Sequence, residues 1–177
     1  LSFDGAAIRQ YRADGPYSLR YLTVSNAAGE RIDFLTHAYT TTAYSYMAFQ
    51  RGPAELPSRY RDAGVDADGD GAYDLLRVSA DVNTFIPGTY HLAAGLYDSQ
   101  DTAITWALGT YTLTAGLQTV AFDFDGLTIG NHRGDGPYTL HGPMLMDATG
   151  ALASSEPWAY TTAAYTYRDF EVPGIIS

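Results

Sequence analysis

The sequence predicts an all-β protein of antiparallel, immunoglobulin-like β-sandwich modules, and three observations carry that expectation. Apolar residues alternate in short runs broken by Gly, Pro, Asn and Asp, and no apolar pattern of 3.6-residue period is long enough for a helix. The middle of the chain spaces four such runs about ten residues apart, as half of a sandwich would. Residues 124–170 rewrite residues 3–49 at a constant offset of 121 with no gap, 20 of the 47 positions being identical. Identities spread that evenly in one register mark a duplicated unit.

The first repeat, residues 1–50, opens on Phe3-Asp4-Gly5. Tyr17, Leu19, Tyr21 and Thr23 then fall on one strand face and Leu22 with Val24 on the other. A turn over 26–29 leads to Ile32, Phe34 and Leu35, and Tyr44 and Tyr46 are expected to alternate on a closing strand. Residues 51–65 hold Pro53 and Pro57 and no periodicity, and read as a linker. Residues 66–123 form a central unit: an Asp-rich loop, then alternation of Leu76, Val78, Ala80 and Val82, of Tyr90, Leu92, Ala94 and Leu96, a run over 103–112, and Val120, Phe122 and Phe124. The second repeat, residues 124–171, returns Phe124-Asp125-Gly126, Asp135-Gly136-Pro137-Tyr138, Tyr165 and Tyr167. Residues 172–177 are a short apolar tail.

At 177 residues with 46% hydrophobic and 14% aromatic content the chain has the means for a packed core. Its ten basic residues are all arginine and face 20 acids, for a net charge of −10. That balance excludes a nucleic-acid binder or an anionic-membrane binder, both of which need a basic surface. Excess carboxylate suits a divalent cation instead. Cysteine is absent, so the redox compartment leaves no mark, and no apolar run is long enough to span a bilayer. The start at Leu1 without a leader reads as a mature or excised portion.

Residues 66–74, DADGDGAYD, place carboxylates of Asp66, Asp68, Asp70 and Asp74 at positions 1, 3, 5 and 9, Gly71 at 6 and the Ala72 carbonyl at 7. Alternate oxygens around a glycine bend are what a calcium ion, with its six to eight oxygen ligands, requires. Arg77 stands at position 12, where an EF-hand needs its bidentate Glu, and no helix pattern flanks the loop. The site is therefore expected to be a β-protein calcium loop, with a further ligand from Asp62, Asp81 or a neighbouring turn.

Asp4, Asp14, Asp125 and Asp135 are explained by turn chemistry. Tyr44, Tyr46, Tyr165 and Tyr167 are expected to pack at the core or its rim, with an aromatic platform for a glycan or a partner chain as the other reading. Catalysis has little support. His37, His132 and His141 face Trp158, Tyr11 and Arg20 in the other copy, and no nucleophile or phosphate motif is present.

These residues together resemble a repeated module of large secreted and surface proteins of bacteria and archaea. Its pattern joins a DxDGDGxYD loop, a Gly-x-Tyr strand, a Leu-x-Asp turn, FDGxxI, DGPY and a closing AYxTxAYxYxxF. Residues 66–74, 88–90, 96–98, 124–129, 135–138 and 159–170 carry the resemblance. It implies an extracellular or cell-surface location and a kind of module, not an activity. The expected function is structural: a calcium-stabilised, non-enzymatic subunit of an extracellular filament or surface fibre. The motive is that residues 117–124 feed a strand into the second copy whereas the first lacks one. A neighbouring chain's tail, through Val172, Ile175 and Ile176, is expected to add that strand and build a head-to-tail homopolymer. The alternative is an adhesive or carbohydrate-binding accessory module of a larger secreted protein.

Overall fold

The computed structural model of the chain describes residues 1–156 and 158–172, with Trp158 and Ala159 as backbone only. The fold is β throughout, with antiparallel sheets, as expected. It divides into two compact units, Leu1–Arg51 and Gly52–Ser177.

In the first unit, helix α1 (Gly5–Gln10) precedes strands β1 (Ser18–Ser25) and β2 (Arg31–Thr40), which pair as a two-stranded sheet, and a 3-10 turn over Tyr46–Ala48. The helix was not expected. Six residues are too few to show a 3.6-residue period, and the signal that makes it is Asp4, whose carboxylate accepts the Ala6 N–H at 2.9 Å as an N-cap. Tyr44 and Tyr46 do not continue a strand either, because the chain leaves β2 after Thr40 and curls into the 3-10 turn.

The second unit is a two-sheet sandwich. Residues expected as a linker supply β3 (Ala54–Glu55) and β4 (Tyr60–Val65), laid in succession along one edge of β5 (Leu75–Thr84). Pro53 and Pro57 lie outside these two strands, where their missing N–H groups break no ladder. Strands β6 (Gly88–Tyr97), β7 (Ala103–Leu113) and β8 (Gly116–Asp125) follow. Strand β8 pairs the other edge of β5, and β6 pairs β7. Helix α2 (Gly126–His132) comes next, then β9 (Thr139–Asp147), β10 (Leu152–Ser155), β11 (Trp158–Thr161) and a second 3-10 turn over Tyr167–Asp169. Strand β9 is shared: β10 and β11 lie on one edge and β6 on the other.

Between the sheets the expected alternation holds. Leu76, Val78, Ala80 and Val82 of β5 are buried against Tyr90, Leu92, Ala94 and Leu96 of β6 and Val120, Phe122 and Phe124 of β8. The second copy contributes Ile129, Tyr138, Leu140, Leu145 and Phe170 to the same core. Its alternation changes phase between Leu140 and Leu145. Gly142 takes a left-handed φ of 55°, and two residues of β9, Gly142 and Pro143, there oppose Ala94 of β6, a bulge that turns both leucines inward. Tyr21 repeats that φ at 58° in the first copy, so the simple two-residue alternation expected over 17–24 does not hold.

The duplication is reproduced bond for bond. Tyr17 N and Tyr138 N both donate to a threonine Oγ1, Thr41 and Thr162, at 2.9 Å. The Tyr17 and Tyr138 hydroxyls donate to the carbonyls of Ala13 and Gly134 at 2.8 and 3.0 Å. Asp14 and Asp135 accept not from their own turns but from the N–H of Tyr46 and Tyr167, at 2.9 and 3.0 Å across 32 residues. The DGPY motif is therefore the anchor of the closing 3-10 turn.

Asp98 shows how the turns carry charge. It is 7% exposed, accepts from the N–H groups of Gln100 and Thr102 at 2.9 Å, and meets His132 Nε2 at 2.8 Å. Burial alone would raise its carboxyl. The His132 bond and the two backbone donors outweigh that and hold it below the ordinary value. A depressed folded value contributes stability above the unfolded carboxyl range, near pH 4, and that stability is lost as pH falls through the folded value. Urea denaturation between about pH 2 and 5 is expected to show this acid-side slope, and Asp98→Asn to flatten it. An unchanged slope in the variant would show that other carboxylates set it.

Candidate metal centre and aromatic seam

The Asp-rich segment is the loop of the β4–β5 hairpin, closing immediately after the Val65–Leu75 pair. Gly69 (φ 83°) and Gly71 (φ 96°) hold left-handed conformations that only glycine adopts cheaply, which lets nine residues turn back on themselves. Asp66 accepts the Gly69 and Gly71 N–H groups at 2.7 and 3.0 Å, and Asp68 accepts that of Asp70 at 3.2 Å. Asp74 accepts the Ala67 N–H. The loop brings carboxylate oxygens of Asp66, Asp68 and Asp74 within 4.8 Å of one another. Of the other expected ligands, Asp70 accepts the Ala72 N–H at 2.9 Å and stands outside that group, and Ala72 enters through its N–H.

The additional carboxylate foreseen from Asp62 or Asp81 comes from neither. Asp81 lies beside Arg61 at 3.5 Å and Thr119 at 3.2 Å. Asp62 is committed to the second copy, accepting the Tyr160 hydroxyl at 2.6 Å, the Tyr165 hydroxyl at 2.6 Å and the Ala163 N–H at 3.2 Å. Glu171 approaches the loop instead. Partial burial, then the charge of Asp74 and a hydrogen bond shared with it, then Asp68 and Asp70, raise its carboxyl above the ordinary value. Two carboxylates in contact need a proton or a cation between them. The oxygens of Asp66, Asp68 and Asp74 make a donor set that fits a hard dication such as calcium, and Glu171 lies beside Asp74 at its edge. Glu171 is 97 residues beyond Asp74 in the chain, and no local spacing could have pointed to it.

Beside the loop runs an aromatic seam. Tyr73 meets Tyr165 and Phe170 at ring separations of 6.1 and 5.6 Å, and Tyr60 stacks on Tyr160 at 5.8 Å. Backbone bonds reinforce it: Tyr73 N to Asp169 O at 2.8 Å, Glu171 N to Tyr73 O at 3.3 Å and Gly126 N to Asp74 O at 2.7 Å. Burial, followed by the Asp62 bond, pushes the Tyr160 hydroxyl up to about 12 and the Tyr165 hydroxyl in the same direction. Tyr165 is thus committed to the seam. Tyr167 lies at the start of the 3-10 turn, its hydroxyl accepting from Arg168 Nε at 3.1 Å. In the first copy Tyr44 is 49% exposed and Tyr46 half-buried. Val172 is half-buried, and Ile175 and Ile176 lie outside the described residues.

No protein-family model and no curated protein matches the chain. Among solved structures it is similar to a glycosyl hydrolase family 2 member from Bacteroides cellulosilyticus (TM-score 0.42, 10% identity), covering 72% of this chain and 23% of that one. It is also similar to a calcium-binding mutant of Bacteroides uniformis beta-glucuronidase 2 (TM-score 0.40, 11% identity, 75% of this chain and 22% of that one). Bacteroides uniformis beta-glucuronidase itself aligns at TM-score 0.38 and 14% identity over 59% of this chain and 14% of that one. The chain spans less than a quarter of each of these proteins, and likeness at that level carries no functional argument. No helix among the described residues is long and apolar enough to cross a membrane.

Proposed function

We propose that the protein is a calcium-stabilised, non-catalytic structural module of a larger extracellular or cell-surface protein. The observation that carries this reading is the position of the acidic loop: Asp66, Asp68 and Asp74 converge where Tyr73 and Asp74 bond to the second copy, and Glu171 of that copy leans into them. A dication there offsets much of the charge of the three converging carboxylates and holds the hairpin loop in the shape that bonds the second copy, so its binding energy becomes folding energy. The polar groups next to the loop are spent on structure. Asp62 is saturated by two phenols and an amide, and Arg77 by a two-pronged pair with Asp123 at 2.7 Å. A module held together in this way suits a load-carrying or spacing role in a fibre or surface protein.

Calcium at about 100-fold its Kd is expected to add about 2.7 kcal/mol to the stability of the second unit. Scanning calorimetry in calcium and in chelator reads this as an upward shift of Tm, and Asp68→Ala should abolish the shift. A Tm indifferent to both calcium and Asp68→Ala would end the calcium reading.

A glycan-binding accessory role is the second reading, and the observation favouring it is Trp106. Trp106 is 54% exposed on β7, and its ring lies against Gly95. Retention on immobilised polysaccharide that is lost on Trp106→Ala would favour it over the purely structural role.

A further inference from the structure

We propose that the open face of the first copy is a docking surface for a β unit of the same kind as residues 52–123, joined in series ahead of Phe3. The proposal rests on the reading of the protein as a structural module and does not depend on calcium. The second copy shows what such a face is for. Phe124, Ile129, Tyr138, Leu140, Leu145 and Phe170 are at most 1% exposed, because β5, β6 and β8 of the preceding segment cover them. The first copy writes the same side chains at Phe3, Ile8, Tyr17, Leu19 and Phe49, with Val24 for the second leucine. None of its residues is buried; Phe3 is 66% and Val24 46% exposed.

Four features of the first copy fit such a partner. The edge of β9 that pairs β6 corresponds to an edge of β1 that has no strand beside it among the described residues. Tyr39 and Tyr44, 61% and 49% exposed, stand where Tyr160 and Tyr165 share the Asp62 carboxylate. Gly126 is obligatory because an added Cβ would lie 2.1 Å from the Tyr73 carbonyl, yet at Gly5 the nearest atom is 3.5 Å away and any small residue would fit. The glycine is kept where its own surroundings do not require it. The charges also match: residues 1–51 carry five arginines against four acids, whereas residues 52–123 carry three against ten. A single added strand could pair the edge but could not cover the face, which in the second copy takes three strands. A second copy of this chain has its own 52–123 unit already engaged by its own residues 124–171.

The test uses hydrogen exchange on the full chain and on an extended chain in which residues 52–123 are placed directly ahead of Phe3, in the register of the duplication. In the unextended chain the β1 amides are expected to exchange about 100-fold or more faster than those of β9, and in the extended chain to slow by a similar factor. Gly5→Ala should leave the unextended chain unchanged and remove the gain from the extended one. Protection of β1 equal to that of β9 in the unextended chain overturns the proposal. So does an extended chain that gains none, whether or not it folds. Concentration-dependent protection with dimers on sizing overturns it in favour of a second copy. Loss of calcium stabilisation with these results intact would remove only the calcium reading.

Discussion

Asp62→Ala is expected to destabilise the second unit by roughly 3 kcal/mol or more, the largest effect of any single charge removal in the protein. Its carboxylate accepts two phenol hydroxyls at 2.6 Å and one backbone N–H at 3.2 Å, and hydrogen bonds to a charged group contribute about 1.5–3 kcal/mol each when a buried partner is left behind. Asp62→Asn retains one acceptor oxygen and should lie about midway. A double-mutant cycle against Tyr160→Phe with Tyr165→Phe isolates the term, since in that background Asp62→Ala should cost under about 1 kcal/mol. Additive costs in the cycle would mean that Asp62 acts through something other than the two tyrosines.

Gly126→Ala tests the seam by crowding it. A methyl group would meet the Tyr73 carbonyl at 2.1 Å and the Asp74 carbonyl at 2.6 Å, and neither can retreat because each is built into the β5 entry and bonded to the second copy. Alanine is a better helix residue than glycine, so propensity alone would predict a gain of about 1 kcal/mol. The clash is expected to reverse that to a loss of about 3 kcal/mol, at the upper end for overpacking. Gly5→Ala, at the matching position of the first copy, is expected to be neutral or slightly stabilising. Equal effects at the two glycines in urea melts would refute the argument.

How far the fold was legible depended on where each residue's partner lay. Strands β5 and β8 bury one face more deeply than the other, and β6 alternates in sequence although Leu92 to Leu96 are all buried, so Leu76 to Val82 and Tyr90 to Leu96 announce themselves by period alone. Strand β4 does not, because its half-buried positions include Tyr60, Asp62 and Gly64, a phenol, a carboxylate and a glycine whose partners lie about a hundred residues away. The prolines around β3 concealed it further, although Ala54 and Leu56 are fully buried. The short helices were hidden for the opposite reason. Asp4 and Asp125 are correct N-caps, but helices of six and seven residues present too little face to leave a period. The Asp-rich loop was visible as a spacing of acids. The structure gathers carboxylate oxygens of Asp66, Asp68 and Asp74 and leaves Asp70 outside that group, a distinction that the spacing does not carry.

The parallel bridge between Tyr73 and Phe170 bears on how the module responds to tension. Two backbone bonds, from Tyr73 N to Asp169 O and from Glu171 N to Tyr73 O, clasp the segment after the second 3-10 turn to the end of the acidic loop, just ahead of β5. A pull transmitted through Glu171 loads both bonds at once and in shear, and passes directly to Asp74 at the mouth of the acidic loop. The acidic loop is therefore the part that receives the force, and on the proposed calcium reading the ion would sit where the load arrives.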